Sequence, residues 1–330
     1  MKHAAIDPFG ERTPLPFRRT LRVLGARFDV TSNDRRLLAL AEHAFAELPA
    51  HRLGRAPRLK MTLLRARPRK RRSEKLPAPR FVSGDGMLVA AADTDNFAVI
   101  RPGSGSALVS VALADPYHAR YELVEFAFLT LAQRALGLVP LHAACVALGN
   151  RAALLIGDSG AGKSTISVAC VESGLPLVAE DGVFVEPATL RATGCATFLH
   201  LRRDSKLWVR NPQLATAFRS APVITRRGGT RKYELDARRA GLPLAPRPPR
   251  IAAVIVLSRR RARGDRLLES LSGTARDRAL RRSQPFALGQ PGWAEFGERV
   301  SKLPAYLLMR GAHPADGADA LRALLATGRP

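Results

Sequence analysis

Residues 154–165 read LLIGDSGAGKST: an apolar run, three glycines in six positions, a lysine and two hydroxyls. Few stretches restrict a chain so strongly, because a strand, a tight loop and a helix N-terminus must follow one another for it to work. Gly157, Asp158, Ser159, Gly160, Ala161, Gly162, Lys163 and Ser164 match the pattern G-x-x-x-x-G-K-[ST], and Thr165 completes the run. Glycines let the backbone fold back so that successive N–H groups face one cup for phosphate oxygens. A helix starting near Lys163 adds the positive end of its dipole. In this pattern Lys163 serves the β- and γ-phosphates of ATP, and the Ser164 hydroxyl reaches Mg2+. The context fits, since AALLI before the loop reads as a strand and STISVACVESG after it as an amphipathic helix.

That lysine is one of 8 in a chain with 45 arginines. An arginine fork is a poor substitute where one compact cation must sit between phosphates. The formal charge is +25, a field that favours anionic partners. The Arg:Lys ratio attributes most of the excess to codon bias. The segment Arg58–Lys75 stands apart, with nine basic residues against Glu74 alone. It reads as a solvated loop able to meet an anion. No aromatic residue is interleaved with it, so nucleic acid is not the favoured partner.

The 330 residues allow about two domains. No apolar window reaches the ~18 residues of a membrane helix, and the N-terminus lacks a signal-peptide pattern. Cys145, Cys170 and Cys195 have neither disulfide nor zinc spacing. A cytoplasmic protein with no membrane partner is expected. We divide the chain into a small α+β domain over 1–125 and a nucleotide-binding domain over 126–330. In the first, DRRLLALAEHAFAEL has helical spacing with Ser32 or Asn33 as N-cap, and nothing looks catalytic. In the second, LHAACVAL, PLVAED and IAAVIVLS read as strands, and the terminal helix ADALRALLATGRP as one that frays.

Two further features narrow the chemistry. His142 lies on the predicted strand before the loop, and Glu180 and Asp181 end the strand PLVAED, seventeen and eighteen residues after Lys163. A strand parallel to the loop strand brings this acidic pair beside the phosphates, where a carboxylate can hold a magnesium water or take a hydroxyl proton. From the residues alone, His142 reads as a core histidine.

The set LHAA (141–144), GDSGAGKS (157–164) and LVAED (177–181) resembles the C-terminal catalytic domain of HPr kinase/phosphorylase over roughly 135–187. The resemblance implies an α/β fold in which an HPr-kinase/PEP-carboxykinase-like P-loop nucleotide-binding domain follows the small α+β domain. It implies that Glu180 matches the family's proposed base and Asp181 the second aspartate. His142 matches the histidine that tunes the acidic site, and a homo-oligomer is implied as well. Glu in place of Asp at 180 lengthens the arm by one methylene and leaves open which acid is the base. We assign Asp181 as the essential acid and, with Ser164, as the metal ligand, with Glu180 as its partner. The family's downstream E-I-R-G stretch is absent; FLHLRRDSKLW (198–208) takes its place, offering Arg202 and Arg203 to phosphate. RRGGTRKYELD (226–236), with Lys232, can close over the site. The resemblance thus narrows to the looser HPr-kinase-related group, which passes the γ-phosphate of ATP to a hydroxyl of a protein, peptide or small acceptor. Two other readings use the same loop: an ATP-responsive nucleic-acid binder and a catalytically degenerate ATP-binding regulator.

Overall fold

The computed structural model describes residues 13–54, 57–66, 76–112, 115–264 and 266–328. The described residues form a mixed α/β protein with four sheets among them. The described residues of Met1–Ala46 and Pro57–Ala132 form one compact unit, and those of Glu47–Ala56 and Gln133–Pro330 the other. The first unit thus runs past 125 to Ala132, and the second takes in the short stretch 47–56. Of the basic segment, Arg58–Arg65 is a strand and 67–75 lie outside the described residues.

In the first unit, FRRTLRVLGARFDVTS forms a hairpin, β1 (Phe17–Val23) and β2 (Ala26–Ser32), which turns at Leu24 and Gly25, both at positive φ. β3 (Arg58–Arg65), β4 (Arg80–Gly84), β5 (Met87–Ala91), β6 (Phe97–Arg101) and β7 (Ser106–Val111) complete a seven-stranded sheet in the order β1-β2-β3-β7-β6-β5-β4. Helix α1 (Arg35–Phe45) buries the predicted stripe Leu37, Leu38, Ala41 and Phe45. Its cap is Asp34 rather than Ser32 or Asn33, because the Asp34 carboxylate accepts from the N–H groups of Arg36 and Leu37. After one turn, α2 (Pro116–His118), a π-helical stretch (Ala119–Glu125) leads into α3 (Phe126–Leu136).

The second unit is built on a six-stranded sheet flanked by two smaller ones. LHAACVAL divides into β8 (Val139–Leu141) and β9 (Ala144–Leu148) instead of forming one strand. The division falls at His142, whose backbone pairs with a side chain: its N–H donates to Gln284 Oε1 at 2.7 Å, and Gln284 Nε2 donates to its carbonyl at 3.1 Å. Next come β10 (Arg151–Ile156), α4 (Lys163–Glu172), β11 (Leu177–Ala179), β12 (Val183–Val185), β13 (Ala192–Gly194) and β14 (Phe198–Leu201). A 3-10 turn (Arg203–Trp208) precedes α5 (Pro212–Ser220), β15 (Val223–Thr225) and β16 (Arg231–Asp236). β17 (Arg250–Arg261), β18 (Leu268–Ser270), α6 (Gly273–Ser283), α7 (Trp293–Val300), β19 (Ala305–Arg310) and α8 (Pro314–Thr327) finish the unit. The main sheet runs β11-β9-β10-β17-β19-β18, and β8-β12-β13 and β14-β16-β15 form two small antiparallel sheets.

Alternation along β10 explains why this sheet is covered on both sides. Ala153 and Leu155 face a core shared with α4 and α8, while Ala152, Leu154 and Ile156 face one shared with α6 and α7. α4 is buried over Ile166–Val171 rather than amphipathic, because α8 lies against it: a Cβ on Gly317 would stand 2.9 Å from Ile166 Cδ1. α8 is in turn packed along its length rather than left as a loose end: Ala318, Leu321, Leu324 and Leu325 are core residues. No helix among the described residues is long and apolar enough to cross a membrane.

β10, β17 and β19 are parallel, so their C-terminal ends share one edge. Ligands of open α/β sheets bind outside that edge. β11 runs in the same direction as β10 but one strand away, since each pairs antiparallel with β9. The acidic pair that follows β11 therefore emerges at the same edge as the loop that follows β10, which is the placement expected from sequence, with β9 between the two.

Candidate functional site

The loop between β10 and α4 takes its shape from glycine. Gly160 (φ 78°) and Gly162 (φ 111°) adopt conformations that side chains disfavour, and a Cβ at Gly157 would press on that of Ala161 at 3.1 Å. Gly162 offers no side-chain cap to α4. The first-turn N–H groups of Lys163, Ser164 and Thr165 therefore point out of the helix without an intrahelical partner. Lys163 is almost fully buried, and its Nζ donates to the Gly157 carbonyl at 2.7 Å, which folds the ammonium back over the loop. Burial lowers its pKa, and the charges of Asp181, Glu180 and Asp158 oppose that shift. Two arginines brace the loop: Arg259 from β17 donates to the Ser159 carbonyl at 2.9 Å, and Arg282 from α6 pairs with Asp158 at 3.0 Å.

The two acids after β11 have different environments. Glu180 is 4% exposed and accepts a short hydrogen bond at Oε1 from Ser164 Oγ. Asp181 is a third exposed; His142 Nδ1 lies 3.0 Å from its Oδ1 and Arg226 3.7 Å from its Oδ2. Ser164 thus meets Glu180, not Asp181. Burial, then the Asp181 charge, pushes the Glu180 carboxyl above its ordinary value, against the opposing pull of His200, Ser164 and Lys232. Burial acts the same way on Asp181. There the hydrogen bond and charge of His142, with Arg226 and His200, outweigh it and hold the carboxyl below the usual carboxylate range. His142 is not a core histidine: its side chain is half exposed.

These opposite shifts give stability effects of opposite sign. Glu180 binds a proton more readily in the folded chain, so its contribution is full below pH 4.5 and is lost as pH rises through its raised folded value. Asp181 contributes above its unfolded value of 3.8 and loses that contribution as pH falls through the lowered one. Thermal melts are expected to show Glu180→Gln above wild type at pH 7, with the gain shrinking toward pH 4. Asp181→Asn should melt below wild type at pH 7. Shifts of the same sign in both variants would contradict the two environments.

Two residues that sequence patterns do not single out, His200 and Glu234, complete the site beside Lys232 and Arg202, which those patterns do. His200 on β14 pairs across the sheet with Glu234 on β16, Nε2 to Oε2 at 3.2 Å, with both side chains buried. His200 Nδ1 lies 4.0 Å from Glu180 Oε2. Lys232, also on β16, feels the charges of Glu180 and Asp181, and Arg226 and Arg202 lie near enough to lower its pKa further after burial. The hairpin 226–236 therefore does reach the acidic pair. Arg203, at the start of the 3-10 turn, is exposed to solvent.

Gly194 on β13 sets how closely that pair can be approached. A Cβ there would overlap that of Ala179 and stand 2.7 Å from the Gly182 carbonyl, on either side of Glu180–Asp181. Gly194→Ala is expected to cost about 1–3 kcal/mol, measured as a lowered urea midpoint at constant slope. An unchanged midpoint would show that the turn yields freely.

Among the described residues no group of three or more His, Cys, Asp or Glu side chains is arranged to hold a metal ion. A cleft of about 420 Å³ lined by Asn150, Thr189, Arg191 and Arg250 opens at the start of β10, away from the loop, and shares no residue with this cluster.

No family model matches the chain, and no curated protein matches it. Among solved structures, the Hpr(Ser) kinase/phosphatase from Coxiella burnetii is similar at 14% sequence identity, covering 57% of this chain and 88% of that one, with a TM-score of 0.27. The functional reading accordingly rests on the geometry of the site itself.

Proposed function

We propose that the chain is an ATP-dependent kinase of the HPr-kinase-related group that transfers the γ-phosphate to a Ser/Thr-type hydroxyl of a protein, peptide or small acceptor. One observation carries this reading: the loop hydroxyl Ser164 meets buried Glu180, while the adjacent Asp181 faces outward with His142. Phosphate binding, metal binding and proton acceptance thus have separate residues at one sheet edge.

The residues present fit ATP and Mg2+. Outward-pointing N–H groups at the start of α4, with Lys163, suit the phosphates. Ser164 and Glu180 supply hard oxygen donors, and magnesium is usually held by one or two carboxylates together with phosphate oxygens rather than by a full protein cage. We therefore place the ion on Ser164 and Glu180 in place of the Ser164–Asp181 pair expected from sequence. When bound, magnesium neutralises charge that builds on the phosphoryl oxygens. Asp181, ionised and oriented by His142, accepts the proton of the incoming hydroxyl. The acceptor oxygen bonds to the γ-phosphorus as the bond to the β-phosphate oxygen breaks, and ADP leaves. Arg226 and Lys232 supply cations on the hairpin side.

The direct test is transfer of label from γ-labelled ATP, screened against proteins, peptides and small hydroxyl compounds of the same cell. Label on an acceptor supports the kinase. Nucleotide binding with no transfer to any acceptor would move the reading to a regulatory ATP binder.

A further inference from the structure

Three buried ionisable side chains lie in a row behind the loop: Glu180, His200 and Glu234, at 4%, 5% and 8% exposure. They come from three separate segments, the turn after β11 and the strands β14 and β16. Burying charged groups costs free energy unless each has a partner. Here the imidazole stands between two carboxylates, with Nδ1 toward Glu180 Oε2 at 4.0 Å and Nε2 on Glu234 Oε2 at 3.2 Å. The other oxygen of Glu180 takes the Ser164 hydroxyl. One oxygen of Glu180 thus accepts from the loop hydroxyl, while the other faces His200 Nδ1 at ion-pair distance, beyond a hydrogen bond. An apolar pair at 200 and 234 would close the β14–β16 contact at lower cost, so the registered pair His200↔Glu234 calls for a role beyond packing.

We propose that His200, clamped by Glu234, is a positioning residue that fixes the rotamer of Glu180 so that its Oε1 stays on Ser164, preorganising the magnesium-binding oxygens. This rests on the kinase reading above. Partners that orient a metal-binding group typically change metal affinity by about 10–100-fold when removed. The effect is therefore expected in the magnesium requirement and not in phosphate binding itself, which belongs to Lys163 and the start of α4.

The test is a magnesium titration of the full-length protein with a fluorescent ATP analogue, alongside analogue binding without magnesium and thermal melts. His200→Leu and Glu234→Gln are expected to need about tenfold more magnesium than wild type for the same binding. His200→Asn, which keeps a polar group of similar reach facing Glu180, should stay within about twofold, and metal-free binding should be unchanged in all three. If His200→Leu does not fold, the nearly isosteric Glu234→Gln and His200→Asn carry the comparison. Lowered melting temperatures with an unchanged magnesium requirement would overturn the proposal and leave a purely structural pair. A wild-type protein that binds the analogue with no magnesium dependence would instead overturn the kinase reading, so the two failures are read from different proteins.

Discussion

Lys163→Ala is expected to lower phosphoryl transfer by about a thousandfold or more, roughly 4 kcal/mol of transition-state stabilisation. The magnitude follows from where the charge sits. Lys163 opens α4 directly after Gly162, almost fully buried, and its ammonium is held over the loop by the Gly157 carbonyl. A cation preorganised away from water acts on developing phosphoryl charge with far less screening than one in solvent. Lys163→Arg is not expected to restore the rate, because a planar fork cannot take the place of a compact ammonium between phosphate oxygens. The loss should appear in steady-state rates with saturating labelled ATP, at a temperature where melts show both variants folded. Wild-type transfer in Lys163→Ala would sink the assignment of the loop as the phosphate site.

The loop was legible because its signal is local. Strand, glycines, lysine and helix follow one another within 151–172, and the structure places them so. The position of the acidic pair also followed, since β11 runs in the direction of β10 and so ends at the same edge. What sequence could not supply is contact across distant segments. Gln284 reaches His142 from 142 residues away and breaks LHAACVAL into two strands. His200 and Glu234 meet only because β14 and β16 pair in a register that no periodicity announces. The exposure of His142 and the burial of α4 and α8 have the same origin: local pattern sets which residues are apolar, while tertiary packing decides which faces are covered.

The same long-range packing gives two adjacent carboxylates different environments, and under the proposed roles the sharpest consequence is a pair of variants with different failures. Asp181→Asn is expected to keep magnesium-dependent nucleotide binding near wild type and to lose transfer by about 10²–10⁴-fold, the usual contribution of a positioned proton acceptor. Asparagine keeps the shape and can still face His142, but it cannot take a proton. Glu180→Gln is expected to do the reverse at the binding step: Ser164 keeps an acceptor, yet the negative charge beside it is gone, so the magnesium requirement rises. The environments support this order. Asp181 is open enough to meet an incoming hydroxyl and is kept ionised by His142 and Arg226, whereas Glu180 is sealed between Ser164 and His200. Equilibrium binding of a nucleotide analogue across a magnesium series, measured beside single-turnover transfer, separates the two. If Asp181→Asn abolished nucleotide binding while Glu180→Gln preserved it, the ion would belong to Asp181, and the base would have to be sought in His142 or Glu180.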